Sequence, residues 1–116
     1  MEKQRTYRPD RWVVLKIDYA HPENDPIFRV FASWAGGYAD GDSWRLNSGI
    51  VNIEEDDDYY FFHGHSESCY QCRKGNYGVI ATSNKSVLER LKHSNKEVTV
   101  KTLPEDTDWK EILEKP

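Results

Sequence analysis

The sequence has only two cysteines, Cys69 and Cys72, and no long run of apolar residues. Two cysteines are too few for the disulfide framework of a small secreted protein. No segment approaches the ~20 apolar residues that cross a bilayer. The start of the chain also lacks the apolar stretch of a secretory signal. We therefore expect a cytoplasmic protein that makes no membrane contact.

Several catalytic and cofactor motifs are also missing from the sequence. There is no P-loop, no glycine motif for a dinucleotide and no serine elbow, so nucleotide-driven and acyl-transfer chemistry has no support. The acidic residues at 40–42 and 54–58 do not have the spacing of a calcium loop. We expect no cofactor.

The chain length of 116 residues is the usual size of one domain. Aromatic residues make up 13% of the chain and supply large buried surfaces, which argues against disorder. No repeat or linker divides the sequence. We expect a partly ordered arm over residues 1–10 and a single domain over residues 11–116.

Alternating apolar and polar residues predict a mostly antiparallel β-sheet. The pattern is clear in Arg11–Tyr19 and in residues 27–34, which predict a hairpin of two strands. Residues 59–62 are all aromatic and predict an almost wholly buried strand. The dipeptide Asp40-Gly41 and the segment 47–49 are typical of turns or kinks.

The pattern becomes helical after residue 82. Val87, Leu88 and Leu91 lie at helical spacing and predict a helix over about 83–94. Val98 and Val100, flanked by lysines, predict a last edge strand, and the C-terminal residues predict a short helix. The expected fold class is α+β, with one curved, mostly antiparallel sheet and a packed helix.

Acidic and basic residues are sorted along the chain. Residues 18–67 hold eleven acidic and two basic residues, whereas residues 68–101 hold seven basic and two acidic ones. If the acidic segment folds onto one face, a basic protein partner is favoured over nucleic acid. The candidate partner-binding residues are Tyr38, Asp40, Asp42, Glu54, Glu55, Asp56, Asp57 and Asp58.

Two imidazoles and two thiols lie within ten residues: His63, His65, Cys69 and Cys72. These are the ligand types of a tetrahedral zinc site, so a structural zinc protein is one interpretation. The two pairs are close in sequence, however, and a strand through Cys69 and Cys72 would send the thiols to opposite faces. Buried structural cysteines are therefore the alternative interpretation.

His63 and His65 also allow the hypothesis of a small metal-dependent or histidine-dependent hydrolase. Imidazole titrates near neutral pH, and two imidazoles on one strand face can act as general acid and base. Neither of the remaining histidines, His21 and His93, repeats this spacing.

Four segments of the sequence resemble small uncharacterised bacteriophage accessory proteins. The segments are Arg8 to Val14, Ser33 to Tyr38, Gly41 to Ile50 and Lys74 to Gly78, and the resemblance covers residues 8 to about 90. It implies a protein that interacts with a host factor in the host cytoplasm, and it transfers no activity. We therefore expect a non-enzymatic binding or inhibitory module that recognises a host macromolecule through an acidic face.

Overall fold

Eight strands and two helices occur in the residues that this computed structural model describes, which are 5–19, 25–37, 41–78, 82–93 and 98–114. The strands are β1 (Arg5–Tyr7), β2 (Arg11–Tyr19), β3 (Ile27–Gly37), β4 (Gly41–Leu46), β5 (Ile50–Glu55), β6 (Tyr59–Gly64), β7 (Ser68–Arg73) and β8 (Val98–Thr102). The helices are α1 (Thr82–His93) and α2 (Trp109–Glu114). Neither of these two helices is long and apolar enough to span a membrane.

The strands form two four-stranded sheets. Sheet A has the order β1-β7-β6-β5, and sheet B has the order β4-β3-β2-β8. Neighbouring strands are antiparallel except β1, which runs parallel to β7. The predicted hairpin is formed by β2 and β3, with Val14 opposite Val30. The predicted edge strand is β8, which pairs with β2 at one end of the order of sheet B.

Strand β2 is buried on both faces. Successive side chains of a strand point to opposite sides, so Trp12 and Val14 pack in the core between the two sheets, while Val13 and Leu15 pack with Leu88 of α1. Sheet B is therefore the middle layer of the molecule, between sheet A on one side and α1 on the other.

Trp12 lies at the centre of the core between the sheets and is fully buried. Its ring centroid is 4.8 Å from that of Tyr77, 5.4 Å from that of Phe62 and 5.9 Å from that of Trp109, which α2 contributes. Its indole N–H donates to the carbonyl of Arg73 at 2.9 Å, so the polar end is satisfied. Truncating such a residue costs about 3–5 kcal/mol, which makes this cluster a main source of stability.

Asn47 organises the passage of the chain from sheet B to sheet A. Its side chain is buried, and its Oδ1 accepts hydrogen bonds from the amides of Val30 at 2.8 Å and Gly49 at 3.3 Å. Gly49 has a φ of +126°, a conformation that other residues rarely adopt. The kink predicted at residues 47–49 is thus the point at which the chain changes sheets.

The coarse prediction of one domain with mostly antiparallel strands and few helices is confirmed, but the prediction of a single curved sheet is wrong. Period-two alternation identifies strands and their faces, yet it does not say which strands share a sheet. The strand at residues 59–62 is also less buried than predicted: Phe62 is buried, whereas Tyr59, Tyr60 and Phe61 are half-buried. One face of β6 belongs to the open side of sheet A.

Smaller differences concern the ends of the elements. The helix expected over residues 83–94 is α1, Thr82–His93. The acidic segment 54–58, expected as a loop, begins inside β5, so only residues 56–58 form the turn. Within the predicted N-terminal arm, Arg5–Tyr7 forms β1.

Candidate functional site

The face of sheet A that points away from sheet B, here called the outer face, is not covered by either of the described helices. α1 packs on sheet B, and α2 places Trp109 in the core between the sheets. The register of the strands determines which side chains share this face. They are Thr6 of β1, Cys69, Gln71 and Arg73 of β7, Tyr59, Phe61 and His63 of β6, and Asn52 and Glu54 of β5.

An open groove of about 420 Å³ lies on the outer face. Arg8 and Glu54 are among its lining side chains, together with Phe61, Cys69 and Gln71. Arg8 donates through Nε to Oε1 of Gln71 at 3.3 Å, which orients its guanidinium. The groove volume falls within the range of pockets that bind small molecules. The groove thus combines a cation, a carboxylate and an aromatic ring.

His63 is held by Glu54 within this groove. Its Nε2 lies 2.7 Å from Oε1 of Glu54. The histidine side chain is 20% exposed and the glutamate 65% exposed, so solvent screens the pair. The contact fixes the orientation of the imidazole and leaves one glutamate oxygen for another donor.

Cys69 lies directly opposite His63 on β7. Burial raises the pKa of the Cys69 thiol, the carboxylate of Glu54 raises it further, and Arg8 opposes this shift. A thiol with a raised pKa remains protonated at neutral pH and is a poor nucleophile. Cys69 is therefore not an activated nucleophile in the row that it forms with His63 and Glu54.

The His/Cys cluster that suggested zinc is not assembled as one site. Cys72 projects into the core with Trp12, on the face of β7 opposite to Cys69. Burial raises the Cys72 pKa well above its ordinary value. His65 follows β6, and its ring lies against Gly49. Within the described ranges, no group of three or more histidine, cysteine or acidic side chains is placed to hold a metal ion.

The acidic run predicted as a docking face is divided between two sides of the molecule. Glu54 lies on the outer face, whereas Glu55 on the other side of β5 binds Lys74 at 2.7 Å and approaches Lys110 at 3.8 Å. The hydrogen bond from Lys74 lowers the pKa of Glu55 and raises that of Lys74. The Oδ1 atom of Asp56 accepts hydrogen bonds from the backbone amides of Asp58 and Tyr59, and these bonds close the turn.

The other predicted partner-binding residues are less informative. Asp57 and Asp58 are exposed in the turn between β5 and β6. Asp42 is part of β4, but its side chain lies outside the description, and Tyr38 and Asp40 lie outside the described residues. No contiguous acidic face is formed by the described members of this set.

Sequence reasoning missed Arg8, Gln71 and Phe61 as members of the site. Phe61 and Gln71 are brought opposite each other by the pairing of β6 with β7. Arg8 reaches the groove because β1 runs parallel to β7, a contact between distant parts of the chain. The alternation within β6 and β7 indicated which residues share a face of each strand, but not that the two strands are neighbours.

Comparison of the chain with known protein families, with curated proteins and with solved structures found no match.

Proposed function

We propose that the protein is a non-enzymatic binding module that recognises another protein through the outer face of sheet A. The observation that carries this proposal is the open groove on that face, in which Arg8 and Glu54 present opposite charges beside the half-buried ring of Phe61. An uncovered sheet face that combines aromatic and charged side chains is a suitable surface for protein recognition.

The aromatic part of the surface supplies apolar contact. The rings of Tyr59 and Phe61 lie side by side on β6, with centroids 6.3 Å apart. The guanidinium of Arg73 lies 5.9 Å from the centroid of Tyr59, so the cation and ring form one continuous patch. Tyrosine and arginine are enriched among the residues that dominate binding energy at interfaces.

The charges favour a protein partner over nucleic acid. Glu54 is 65% exposed in the groove, and Asp57 and Asp58 are exposed in the turn between β5 and β6. These carboxylates would repel the phosphate groups of a nucleic acid, which carry the same sign of charge. Binding to a nucleic acid backbone depends instead on lysine and arginine side chains that neutralise the phosphates. A protein surface that carries both signs of charge can complement Arg8 and Arg73 on one side and the carboxylates on the other.

The partner class follows from the resemblance to bacteriophage accessory proteins. A host protein is the expected partner, and occupation of one of its surfaces would make this chain inhibitory. Asp57 and Asp58 would pair with basic residues of that partner at the rim of the contact. Such exposed charges act mainly on the rate and the specificity of association.

Affinity capture from host lysate tests this proposal with two charge-reversal variants, Arg8→Glu and Glu54→Arg. Glu89→Arg is the matched control, because Glu89 is exposed on α1, on the opposite side of sheet B. We expect a host protein that wild type and Glu89→Arg retain equally and that both outer-face variants lose at least tenfold. Circular dichroism checks that all variants are folded. Equal capture by wild type and both outer-face variants, or no capture above background, would overturn the proposal.

A hydrolase that acts through His63 is the second candidate. The observation in its favour is the 2.7 Å contact between His63 and Glu54 inside a groove, since a carboxylate that orients an imidazole is a common arrangement for general-base catalysis. His65 does not share this site. Hydrolysis of model phosphodiesters and esters by wild type, with complete loss in a folded His63→Ala variant, would support this candidate over the binding module.

A further inference from the structure

A second cavity, of about 220 Å³, lies between α1 and the outer side of sheet B. It is lined by apolar side chains from β2, β4, β8 and α1, namely Leu15, Ile17, Leu46, Leu91, Val98 and Val100. Tyr19, which is 39% exposed, also contributes to the lining. Most of this lining suits an apolar ligand group better than water, because water needs two to four polar partners.

Arg29 is the charged residue among the described residues of this lining. Its Nε donates to the carbonyl of Asn47 at 2.7 Å, which fixes the guanidinium beside the apolar residues. Among the described residues, no carboxylate forms an ion pair with Arg29. The remaining N–H groups of the guanidinium form a fork whose geometry matches a carboxylate.

The size of the cavity limits the apolar part of a ligand. If a methylene group occupies about as much space as a water molecule, ~30 Å³, the cavity holds about seven such groups. We propose that this cavity binds an amphipathic carboxylate, a medium-chain fatty acid of the size of octanoate, with its head group on Arg29. The alkyl chain would lie between Leu91 of α1 and the β2 and β8 strands.

Charge complementarity selects this occupant over a neutral one. A purely apolar ligand or an apolar side chain of a partner would leave the half-buried guanidinium without an anion, whereas a carboxylate accepts two of its N–H groups. The cavity lies on the opposite side of sheet B from the core, away from the outer face of sheet A, so this inference does not depend on the proposed protein-binding function.

Titration of the isotope-labelled protein with octanoate, and separately with octanol, tests the inference by nuclear magnetic resonance. We expect octanoate to shift the methyl resonances of Leu91 and Val100 and to bind at least tenfold more tightly than octanol. Arg29→Gln should weaken octanoate binding at least tenfold and change octanol binding less than twofold. Arg29→Lys should retain most of the preference for the carboxylate.

A second variant tests the cavity independently of Arg29. Val98 is half-buried on the edge strand β8, so Val98→Trp is expected to fill the cavity without disturbing the core between the sheets, and to weaken both ligands. Absence of methyl shifts in wild type at 10 mM octanoate would overturn the inference. Equal binding of octanoate and octanol would also overturn it, and would leave an apolar side chain of a partner as the occupant.

Discussion

The phenolic oxygen of Tyr77 lies 3.0 Å from the amide nitrogen of Val14, in the middle of β2. The same hydroxyl donates to the carbonyl of Leu103, just after β8. Burial raises the pKa of Tyr77 to about 12, so the hydroxyl keeps its proton at neutral pH. Tyr77 therefore joins two segments of backbone by accepting one hydrogen bond and donating another.

Tyr77→Phe removes both hydrogen bonds and keeps the ring. The amide of Val14 and the carbonyl of Leu103 then lose a partner in a part-buried position, so we expect the free energy of unfolding to fall by about 1–3 kcal/mol. Urea denaturation followed by tryptophan fluorescence measures the change. The control is Tyr59→Phe. The hydroxyl of Tyr59 accepts a long hydrogen bond from Arg73, at 3.4 Å, in an exposed position. Equal stability of the two variants would contradict the role given to Tyr77.

Gly49 is required at the crossing between the sheets for two separate reasons. Its φ is +126°, and a Cβ at this position would lie 2.9 Å from Cδ2 of His65. We expect Gly49→Ala to cost about 1–3 kcal/mol, because backbone strain adds to the overlap with the imidazole. Chemical denaturation of the variant, compared with wild type, checks this value.

Gly75→Ala separates the two contributions to the Gly49 effect. Gly75 also has a positive φ, +89°, but a Cβ there would meet no atom within 4 Å. Its substitution should therefore show the backbone strain alone and cost less than Gly49→Ala. Combining Gly49→Ala with His65→Ala should recover part of the lost stability. No recovery in that double variant would show that the imidazole is not the obstacle.

The sequence pattern predicted the separation of the two thiols but not the contacts of either one. Cys69 and Cys72 on one strand were expected to point to opposite faces, and they do. The position of Cys69 opposite His63 depends on the pairing of β6 with β7, which no local pattern encodes. Likewise, Glu54 and Glu55 are neighbours in sequence, but a strand separates their side chains because it alternates faces.

The strands and helices were predictable for a different reason. Strand β2 and helix α1 each have a clear hydrophobic period, and the period follows from which sides of the element are buried. The existence of two sheets follows instead from the crossing at Asn47, whose side chain binds the amide of Val30, a residue seventeen positions earlier. The outer face also depends on contacts between distant parts of the chain, because Arg8 and Gln71 are sixty-three residues apart.

Both cysteine thiols should react slowly with alkylating reagents in the folded protein. Burial raises the pKa of Cys69 and raises that of Cys72 further, so little thiolate is present at pH 8. We expect iodoacetamide to modify the native protein at least tenfold more slowly than the urea-unfolded protein, with Cys72 slower than Cys69. Intact-mass and peptide mass spectrometry measure both rates.

Native mass spectrometry of the protein, purified without chelator, is the control for this experiment. If burial alone protects the thiols from alkylation, the measured mass is that of the metal-free protein. If zinc protects them, the mass increases by one zinc ion, and chelation removes the protection. Rapid modification of Cys69 in the folded protein would contradict its raised pKa and would favour a reactive thiol in the groove.

The ion pair between Glu55 and Lys74 should make stability depend on pH. The hydrogen bond from Lys74 lowers the pKa of Glu55 below its ordinary value of 4.5. A carboxyl with a lowered pKa in the folded state contributes stability that is complete above pH 4.5 and is lost as the pH falls through the folded pKa. Lys74, whose pKa is raised above 10.5, stays charged throughout the acid range, so the loss of this interaction follows the protonation of Glu55 alone.

Glu55→Gln should therefore be less stable than wild type at pH 7, and the difference should shrink as the pH falls below 4.5. The effect is expected to be small because the Glu55 and Lys74 side chains are 36% and 30% exposed, and added salt should reduce it further. Asp57→Asn is the matched control, since Asp57 is exposed in the adjacent turn. Urea denaturation of the three proteins between pH 2 and pH 7 measures the differences. A constant difference between Glu55→Gln and wild type over this range would mean that the charge of Glu55 is not the stabilising element, and that its contacts contribute through packing alone.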